Sequence, residues 1–278
     1  MSASKLILGT VQFGCQYGIN SAGRPSEAAV AEILSAAAER GITTLDTSSA
    51  YGDAERVLGS CGAAAKGFGI VSKYPQGSGP VAETFRQSLE RLGAASMHGY
   101  MLHHFGVYRS EPGIWEEFRA LRKEGLTERI GFSLYSPDEL EILLEDGVDF
   151  DILQIPRNIF DRRFDPWLPA LKERGVEVHV RSTFLQGLFF KDRDSLPEKL
   201  LPLRKYLLRL DECSARSGLG IAQLALGFNL QNPDIAGVLI GVDNVGQLLA
   251  NVEAACEETI DIDIQVAEQE LLSPVNWN

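Results

Sequence analysis

The sequence has few cysteines, and they are not clustered. Cys15, Cys61, Cys213 and Cys256 include no C-x-x-C pair and have no histidine at ligand spacing. Structural zinc sites and disulfide-stabilised small domains both depend on closely spaced cysteines. We therefore expect no metal site and no disulfide framework, and reduced thiols of this kind are typical of cytoplasmic proteins.

Cationic side chains are scarce relative to anionic ones. Lysine and arginine together number 26 against 38 aspartates and glutamates, which gives a formal net charge of −12 at pH 7. Proteins that bind nucleic acid without sequence preference rely on lysine and arginine to neutralise phosphates. We therefore expect no nucleic-acid partner, and we attribute the negative charge to solubility.

Long hydrophobic runs are also missing. The opening segment MSASKLILGT has one lysine and too few apolar positions before its glycine to form a signal peptide. No later apolar run approaches the roughly 20 residues that a transmembrane helix needs. These features predict a cytoplasmic protein that does not interact with membranes.

The sequence does contain a regular alternation of short β-rich runs with helical stretches. The strand-like runs cover 6–10, 42–46, 68–73, 99–103, 129–133, 150–155, 176–180 and 236–241. Apolar residues recur at helical spacing in 26–40, 81–92, 137–146 and 244–256. Apolar strands that alternate with helices are typical of a parallel sheet covered by helices.

The number of repeats and the length favour a barrel. A (β/α)8 TIM barrel needs about 250 residues, so we predict one such α/β domain over residues 1–278. A doubly wound sheet is the alternative, but its first strand is normally followed by G-x-G-x-x-G, whereas this chain reads GTVQFG. The segment 181–235 predicts an extra helical segment between strands 7 and 8, with helices near 200–216 and 219–230.

Polar side chains stand at the carboxyl ends of the predicted strands, where barrel enzymes place their reactive groups. A tyrosine is a poor acid at neutral pH because its reference pKa is about 10, so we expect Lys73 to lower the pKa of Tyr51. Asp46 would hold Lys73 in position. The strand-end residues are Asp46, with Tyr51 in the following loop, then Lys73, His103, Ser133, Gln154 and Arg181.

Each of these residues has a structural alternative when it is taken alone. Asp46 could cap a helix, and Tyr51 could be a packing aromatic. Lys73 could be a surface cation, and His103 or the adjacent His104 could be a core histidine bonded to the backbone. Their joint occurrence, in order and at strand ends, favours a catalytic site.

Three segments resemble the signature of a known family, the aldo-keto reductases. They are LDTSSAYG (45–52), VSKYP (71–75) and YMLHHFG (100–106), preceded by KLILGTVQFG. The resemblance covers essentially the whole chain and is to a divergent bacterial branch. It implies an NAD(P)-dependent oxidoreductase acting on a small carbonyl or alcohol, with a catalytic tetrad of Asp46, Tyr51, Lys73 and His103.

Within that resemblance, Tyr51 is implied as the proton donor to a carbonyl that receives hydride. His103 is implied as the residue that orients the substrate oxygen or assists proton transfer. His103 rather than His104 matches the family's Leu-x-x-His pattern, and only one of two adjacent strand residues can face the pocket.

The resemblance also implies where the nicotinamide cofactor lies. Ser133 and Gln154 match positions that hold the carboxamide, although Gln154 could instead be a capped strand end. Leu134 stands where the family commonly has asparagine, and Arg181 stands near the usual stacking aromatic. The implied cofactor-binding set is Gly9, Thr10, Ser133, Gln154, Arg181, Gly241, Asp243, Gln247 and Asn251.

The segment 239–255 leaves the choice between NADP and NAD open. NADP is the family default, and a helix that follows Gly241 has N-terminal amides that attract phosphate. Where many relatives carry a cation for the 2′-phosphate, this chain has Asp243 and Asn244. A carboxylate repels that phosphate but accepts hydrogen bonds from a free ribose hydroxyl, which argues for NAD. The alternative is that Asp243 serves only as a helix N-cap.

Two other functions compete with the reduction of an aldehyde or ketone, or the reverse oxidation of an alcohol or sugar. One is a catalytically quiet nucleotide-binding barrel that acts as a sensor or regulatory partner, which the intact tetrad disfavours. The other is a barrel lyase or epimerase for phosphorylated sugars, which the absence of a glycine cluster after strand 7 disfavours.

The substrate is expected to be polar, sugar-like or anionic. This expectation depends on polar residues near the top face of the barrel, with apolar walls beside them. The polar residues are Arg181, Arg157, Asn158 and Gln186, and the apolar ones are Trp167 and Phe184.

Overall fold

A computed structural model of the chain describes residues 5–19, 23–255 and 259–277. Eight parallel strands pair in chain order, and the last pairs with the first to close a barrel. The (β/α)8 prediction is therefore confirmed. The strands are β1 (Leu6–Gly9), β2 (Thr44–Asp46), β3 (Gly69–Tyr74), β4 (Met97–Leu102), β5 (Thr127–Ser133), β6 (Ile152–Pro156), β7 (Glu177–Arg181) and β8 (Gly237–Gly241).

Helices follow the strands and form the outer layer. They are α1 (Val11–Gly14), α2 (Glu27–Glu39), α3 (Ala54–Ser60), α4 (Val81–Leu92), α5 (Phe105–Ser110), α6 (Ile114–Lys123), α7 (Pro137–Glu145), α8 (Leu168–Glu173), α9 (Arg204–Ser217), α10 (Ile221–Leu230) and α11 (Val245–Ala254). No helix in the part of the chain that the structure describes is both long and apolar enough to cross a membrane.

Strand β2 begins two residues later than the sequence pattern predicts. The amide of Ile42 donates to the carbonyl of Ala37, 3.0 Å away, and so completes the end of α2 instead of joining the sheet. Thr44 is the first residue that pairs with β1. The helix-ending turn thus takes residues that hydrophobicity alone assigns to the strand.

Strand alternation divides the barrel residues between two apolar clusters. Outward-facing residues such as Leu8, Leu45 and Phe132 pack with the surrounding helices in the large core. Val71, Met101 and Ile152 form a small separate cluster inside the barrel. Lys73 lies two residues after Val71 on β3, and Gln154 lies two residues after Ile152 on β6. Because side chains alternate along a strand, Lys73 and Gln154 also face the barrel interior, above this small cluster.

The connection between β7 and β8 contains the predicted extra helical segment. It comprises 3-10 turns at Leu185–Phe190 and Glu198–Leu203, followed by α9 and α10. The predicted helix 200–216 begins later because Pro202 cannot donate a backbone hydrogen bond. A third apolar cluster, which includes Leu188, Phe189 and Leu207, joins this connection to the segment 259–277.

Candidate active site

Asp46 and Lys73 form a buried ion pair across neighbouring strands. Both oxygens of the Asp46 carboxylate accept from the Lys73 ammonium, at 2.7 and 2.8 Å. The same ammonium donates to the Thr47 carbonyl at 2.9 Å. Burial lowers the pKa of Lys73, and the charge of Asp46 opposes that shift. The two Asp46 oxygens and the Thr47 carbonyl therefore hold the Lys73 ammonium in place.

The Tyr51 hydroxyl lies beside this cation. It is 3.4 Å from the Lys73 Nζ atom, and the ammonium also lies 5.1 Å from the centre of the Tyr51 ring. Burial, with a further contribution from Asp46, raises the pKa of Tyr51 well above its usual value. The expected net lowering of this pKa by Lys73 is therefore wrong, because burial of the tyrosine dominates. Tyr51 is held in its protonated form.

His103 is the histidine next to Tyr51. The two rings meet edge to face with centroids 5.7 Å apart, and the Nδ1 atom of His103 is 3.2 Å from the Ser48 hydroxyl. Burial, together with the charge of Lys73, lowers the pKa of His103 to about 2, so its imidazole is neutral. His104 is the N-cap residue of α5, and its ring stacks on the His103 ring with centroids 4.6 Å apart.

Two residues that the sequence reasoning missed position these groups. A Cβ atom at Gly14 would lie 1.7 Å from the Tyr51 carbonyl oxygen, so only glycine allows α1 to pack against the Tyr51 loop. Ser48 joins that loop to His103 and also accepts from the amide of Ala50. The second glycine of GTVQFG was the available signal for Gly14, whereas nothing marked Ser48.

A cavity of about 540 Å³ begins at Tyr51 and Asp46 and extends to the start of α11. All proposed cofactor-binding residues except Ser133 line it. Ser133 is buried at the end of β5, opposite Gln154 in the strand register. The proposed residues along the cavity are Gly9, Thr10, Gln154, Arg181, Gly241, Asp243, Gln247 and Asn251.

Glycines make room along one side of this cavity. A Cβ atom at Gly241 would lie 2.3 Å from the Nε2 atom of Gln12, a lining residue that the sequence reasoning also missed. The Oε1 atom of Gln12 is buried without a protein hydrogen bond in the described residues. Thr10 uses its hydroxyl within the fold, since it donates to the Asp46 carbonyl at 2.9 Å.

Gln154 joins the cavity to the ion pair. Its Nε2 atom donates to the Oδ2 atom of Asp46 at 2.7 Å. The Gln154 side chain therefore contacts the ion pair directly and is not only a capped strand end. Arg181 lines the cavity nearby, where its Nη2 atom donates to the Leu134 carbonyl and its guanidinium lies over the Tyr135 ring.

The structure contradicts the alternative in which Asp243 is the N-cap of α11. Asn244 is the N-cap, and its side chain accepts from the Gln247 amide at 2.9 Å. The Gln247 side chain accepts from the Asp243 amide at 2.7 Å. One carboxylate oxygen of Asp243 is buried without a hydrogen bond within the described residues, and burial raises the pKa of this group. Asp243 is therefore available to a ligand.

Arg157 and Asn158 do not contribute to the cavity, so their prediction as substrate-facing residues is wrong. Arg157 is buried between the Asp165 carboxylate and the Asn229 amide oxygen, both 2.7 Å away. Asn158 stabilises a turn by accepting from the amide of Phe160. Of the other residues named for the substrate, Gln186 and Phe184 line the cavity together with Arg181, while Trp167 packs against the main core.

Comparisons with known proteins agree with this architecture. The chain is 26% identical over 281 residues to the uncharacterized oxidoreductase YqkF of Bacillus subtilis (strain 168), covering 92% of this chain and 90% of that protein. It is 27% identical over 263 residues to an L-galactose dehydrogenase of Arabidopsis thaliana, covering 84% and 79% of the two chains. A solved aldo-keto reductase of Bacillus halodurans superposes with a TM-score of 0.72 at 24% identity, over 96% of this chain and 90% of that one.

The family model of the aldo/keto reductases matches residues 5–268, which is nearly the whole chain. The match includes every strand of the barrel and the cavity that the strand ends surround. The chain belongs to the aldo/keto reductase family.

Proposed function

We propose that the protein reduces an aldehyde or ketone with a nicotinamide cofactor, or oxidises the corresponding alcohol, and that Tyr51 is its proton donor. The main support is the position of Tyr51, which lines the cavity and whose hydroxyl lies 3.4 Å from a lysine fixed by Asp46. The arrangement of Tyr51, Lys73 and Asp46 favours a catalytic function over the alternative of a catalytically quiet nucleotide-binding barrel.

The lining residues fit a dinucleotide. Gly9 and Gly241 leave backbone open along the cavity, and α11 directs its N-terminal amides toward its far end. The unpartnered oxygens of Gln12 and Asp243 are acceptors that ribose hydroxyls or an amide can satisfy. When bound, the cofactor supplies or accepts a hydride at the substrate carbon.

The protein's own groups manage the proton at the substrate oxygen. The carbonyl oxygen gains negative charge as its carbon is reduced, and a positioned hydroxyl can donate a proton to it. Tyr51 is suited to this because its raised pKa keeps it protonated until the oxygen becomes basic. Burial lowers the pKa of His103 and so favours its neutral form, which is suited to a hydrogen bond with the same oxygen.

We also propose NAD over NADP. Among the described residues that line the cavity, Arg181 is the only cation, and its charge acts on Tyr51. At α11 the nearest free charge is the Asp243 carboxylate, which repels a 2′-phosphate and accepts from a free 2′-hydroxyl. The substrate is proposed to be polar or sugar-like, in line with the name of the Arabidopsis relative.

The test combines cofactor titration with one tyrosine variant. Quenching of protein fluorescence by NADH and NADPH gives both dissociation constants, and glyceraldehyde reduction gives kcat. Tyr51→Phe should bind NADH normally and lose at least about 100-fold in kcat, in line with a lost general acid. Tyr108→Phe, which removes an exposed hydroxyl bonded to Asp146, is the matched control.

Three results would contradict these proposals. If neither cofactor binds, the oxidoreductase proposal fails. If Tyr51→Phe keeps the kcat of the Tyr108→Phe control, another group donates the proton. A tenfold tighter binding of NADPH than NADH would overturn the NAD preference, because that ratio corresponds to about 1.4 kcal/mol in favour of the phosphate.

A further inference from the structure

Arg181 is a half-buried cation without an acidic partner among the described residues. Other half-buried or buried arginines in this region face a carboxylate: Arg157 contacts Asp165 at 2.7 Å, and Arg193 contacts Asp211 at 2.7 Å. Arg181 instead makes one hydrogen bond, to the Leu134 carbonyl at 3.0 Å. A charge removed from water is costly unless it is paired, so this cation is poised for an anion that the protein does not supply.

Two contacts hold the guanidinium of Arg181. Its central carbon lies 4.2 Å from the centre of the Tyr135 ring, which is a cation–π contact. A guanidinium carries five N–H donors in a planar fork, and the Leu134 carbonyl accepts from one nitrogen. The remaining N–H groups have no partner in the described residues and can bind a carboxylate or phosphate through two parallel hydrogen bonds.

The backbone around Arg181 is fixed although it is strained. Ser182, Leu185 and Gln186 have φ angles of 63°, 47° and 52°, which residues other than glycine rarely adopt. The Arg157 amide donates to the Arg181 carbonyl at 3.1 Å, and the Asn158 side chain donates to the Ser182 carbonyl at 3.1 Å. Strain that the surrounding structure maintains in this way is typical of functional sites.

Arg181 stands on the reactive side of the cavity. It lines the same cavity as Tyr51 and Gln154. After burial and the nearby lysine and histidine, its charge is a further cause of the lowered pKa of His103. An anion that pairs with Arg181 would therefore lie close to the carbonyl that Tyr51 would protonate.

We propose that Arg181 recognises an anionic group, a carboxylate or a phosphate, carried by the substrate near its reacting carbonyl. This inference rests on the proposed function, because it names the substrate class of the same site. Phe184 and Phe190, whose rings are 5.2 Å apart, form an apolar wall beside it. The substrate class is thus a small aldehyde or ketone with one anionic end.

The first test compares charged and neutral substrates of the same skeleton. Glyceraldehyde 3-phosphate should be reduced with a higher kcat/KM than glyceraldehyde, and succinic semialdehyde with a higher kcat/KM than butanal. Arg181→Met should lower kcat/KM for the two anions about 10- to 100-fold more than it lowers kcat/KM for the neutral aldehydes. Arg181→Lys should recover part of the loss, because it keeps the charge but not the fork.

An anionic pyrophosphate of the cofactor is the other possible partner of Arg181, and NADH titration separates the two. The proposal expects Arg181→Met to lose much less in NADH affinity than in kcat/KM for the charged aldehydes. Weaker NADH binding, with equal losses for charged and neutral aldehydes, would assign the arginine to the cofactor and overturn the proposal. Arg86→Met, which removes an exposed charge on α4, is the matched control.

A binding test distinguishes failure of this inference from failure of the proposed function. Calorimetry with glycerol 3-phosphate and with glycerol requires no turnover. Binding of glycerol 3-phosphate to the protein but not to Arg181→Met supports the anion site even if no aldehyde is reduced. Equal binding to both proteins, or none to either, overturns it, provided that circular dichroism shows Arg181→Met to be folded.

Discussion

Gln154 and Asp46, which lie on strands far apart in the chain, are joined by a hydrogen bond of 2.7 Å inside the barrel. The Gln154 amide donates to the same carboxylate that neutralises Lys73. The glutamine thus supplies the carboxylate with a second donor, and its own amide oxygen remains available to the cavity. The charge balance of the candidate site therefore depends on a neutral donor at this position.

Replacing that donor by an acid should destabilise the protein in a pH-dependent way. Gln154→Glu places a second carboxylate against Asp46, and two carboxylates that share a site cannot both ionise cheaply. We expect a loss of about 3 kcal/mol in the free energy of unfolding at pH 8 and a smaller loss at pH 5. Urea unfolding at both pH values measures it, and Gln154→Leu, whose loss should not depend on pH, is the control. Equal losses of the glutamate variant at both pH values would contradict the expectation.

A methyl group at Gly14 should displace the Tyr51 loop. The added Cβ would lie 1.7 Å from the Tyr51 carbonyl oxygen, so the loop or α1 must move. Since a displacement of about 1 Å can cost on the order of 100-fold in rate, Gly14→Ala should lower kcat at least about tenfold. Gly106→Ala is the control, because a methyl group there meets nothing within 4 Å. A kcat equal to that of the control would show that the loop position is not critical.

Ser48 should set which ring nitrogen of His103 carries the proton. Ser49 donates to the Lys73 carbonyl at 3.3 Å. The Ser48 hydroxyl lies 3.4 Å from the same carbonyl and 3.2 Å from Nδ1 of His103, so we expect it to donate along the shorter contact, to Nδ1. The proton then resides on Nε2, as a hydrogen bond to substrate requires. Ser48→Ala should lower kcat about tenfold and change the ¹⁵N chemical shifts of His103, whereas Ser49→Ala should leave both nearly unchanged. Unaltered ¹⁵N shifts in Ser48→Ala would exclude this role.

Stability should depend on pH through His98 and Glu177. The hydrogen bond that His98 donates to Glu177 raises the pKa of His98 above 6.5. The stabilisation that this histidine provides is therefore present below pH 6.5 and is lost as the pH rises through the folded-state pKa. Burial of Glu177 opposes the shift, but hydrogen bonds with His179 and His98 depress its pKa below 4.5. The stabilisation that this carboxylate provides is therefore present above pH 4.5 and is lost as the pH falls.

The contribution of this pair should therefore be greatest between about pH 4.5 and 6.5. Urea unfolding of the protein and of Glu177→Gln across pH 3 to 9 measures it as the difference between the two stability curves. A difference that does not vary with pH would mean that the two groups are not coupled to folding.

Removing the charge of Asp243 should relax the choice of cofactor. Asp243→Asn keeps the shape of the side chain but ends its repulsion of a 2′-phosphate, so NADPH binding should tighten about three- to tenfold relative to NADH. Fluorescence titration gives both dissociation constants. Asp261→Asn, an exposed change outside the cavity lining, should leave their ratio unaltered. The same unaltered ratio in Asp243→Asn would assign cofactor choice to other residues.

The barrel and the composition of its reactive edge could be predicted from the sequence because both depend on local patterns. Eight apolar runs alternate with helices, and parallel closure brings their carboxyl ends to one edge. Lys73 and Asp46 each follow an apolar run, so strand order alone predicts that they meet. The family signature added the roles of Tyr51 and His103, which the local pattern does not contain.

The sequence by itself thus determined the fold, the family and which strand ends carry polar groups. Only the tertiary structure decided how those groups are paired: Arg157 is neutralised by Asp165, Arg181 is left without an acid among the described residues, and Gln154 reaches Asp46. The physical reason is that helices and strands are specified by neighbours in the chain. The charge and hydrogen-bond partners of a buried group instead depend on residues that barrel closure and loop packing bring from far along the sequence.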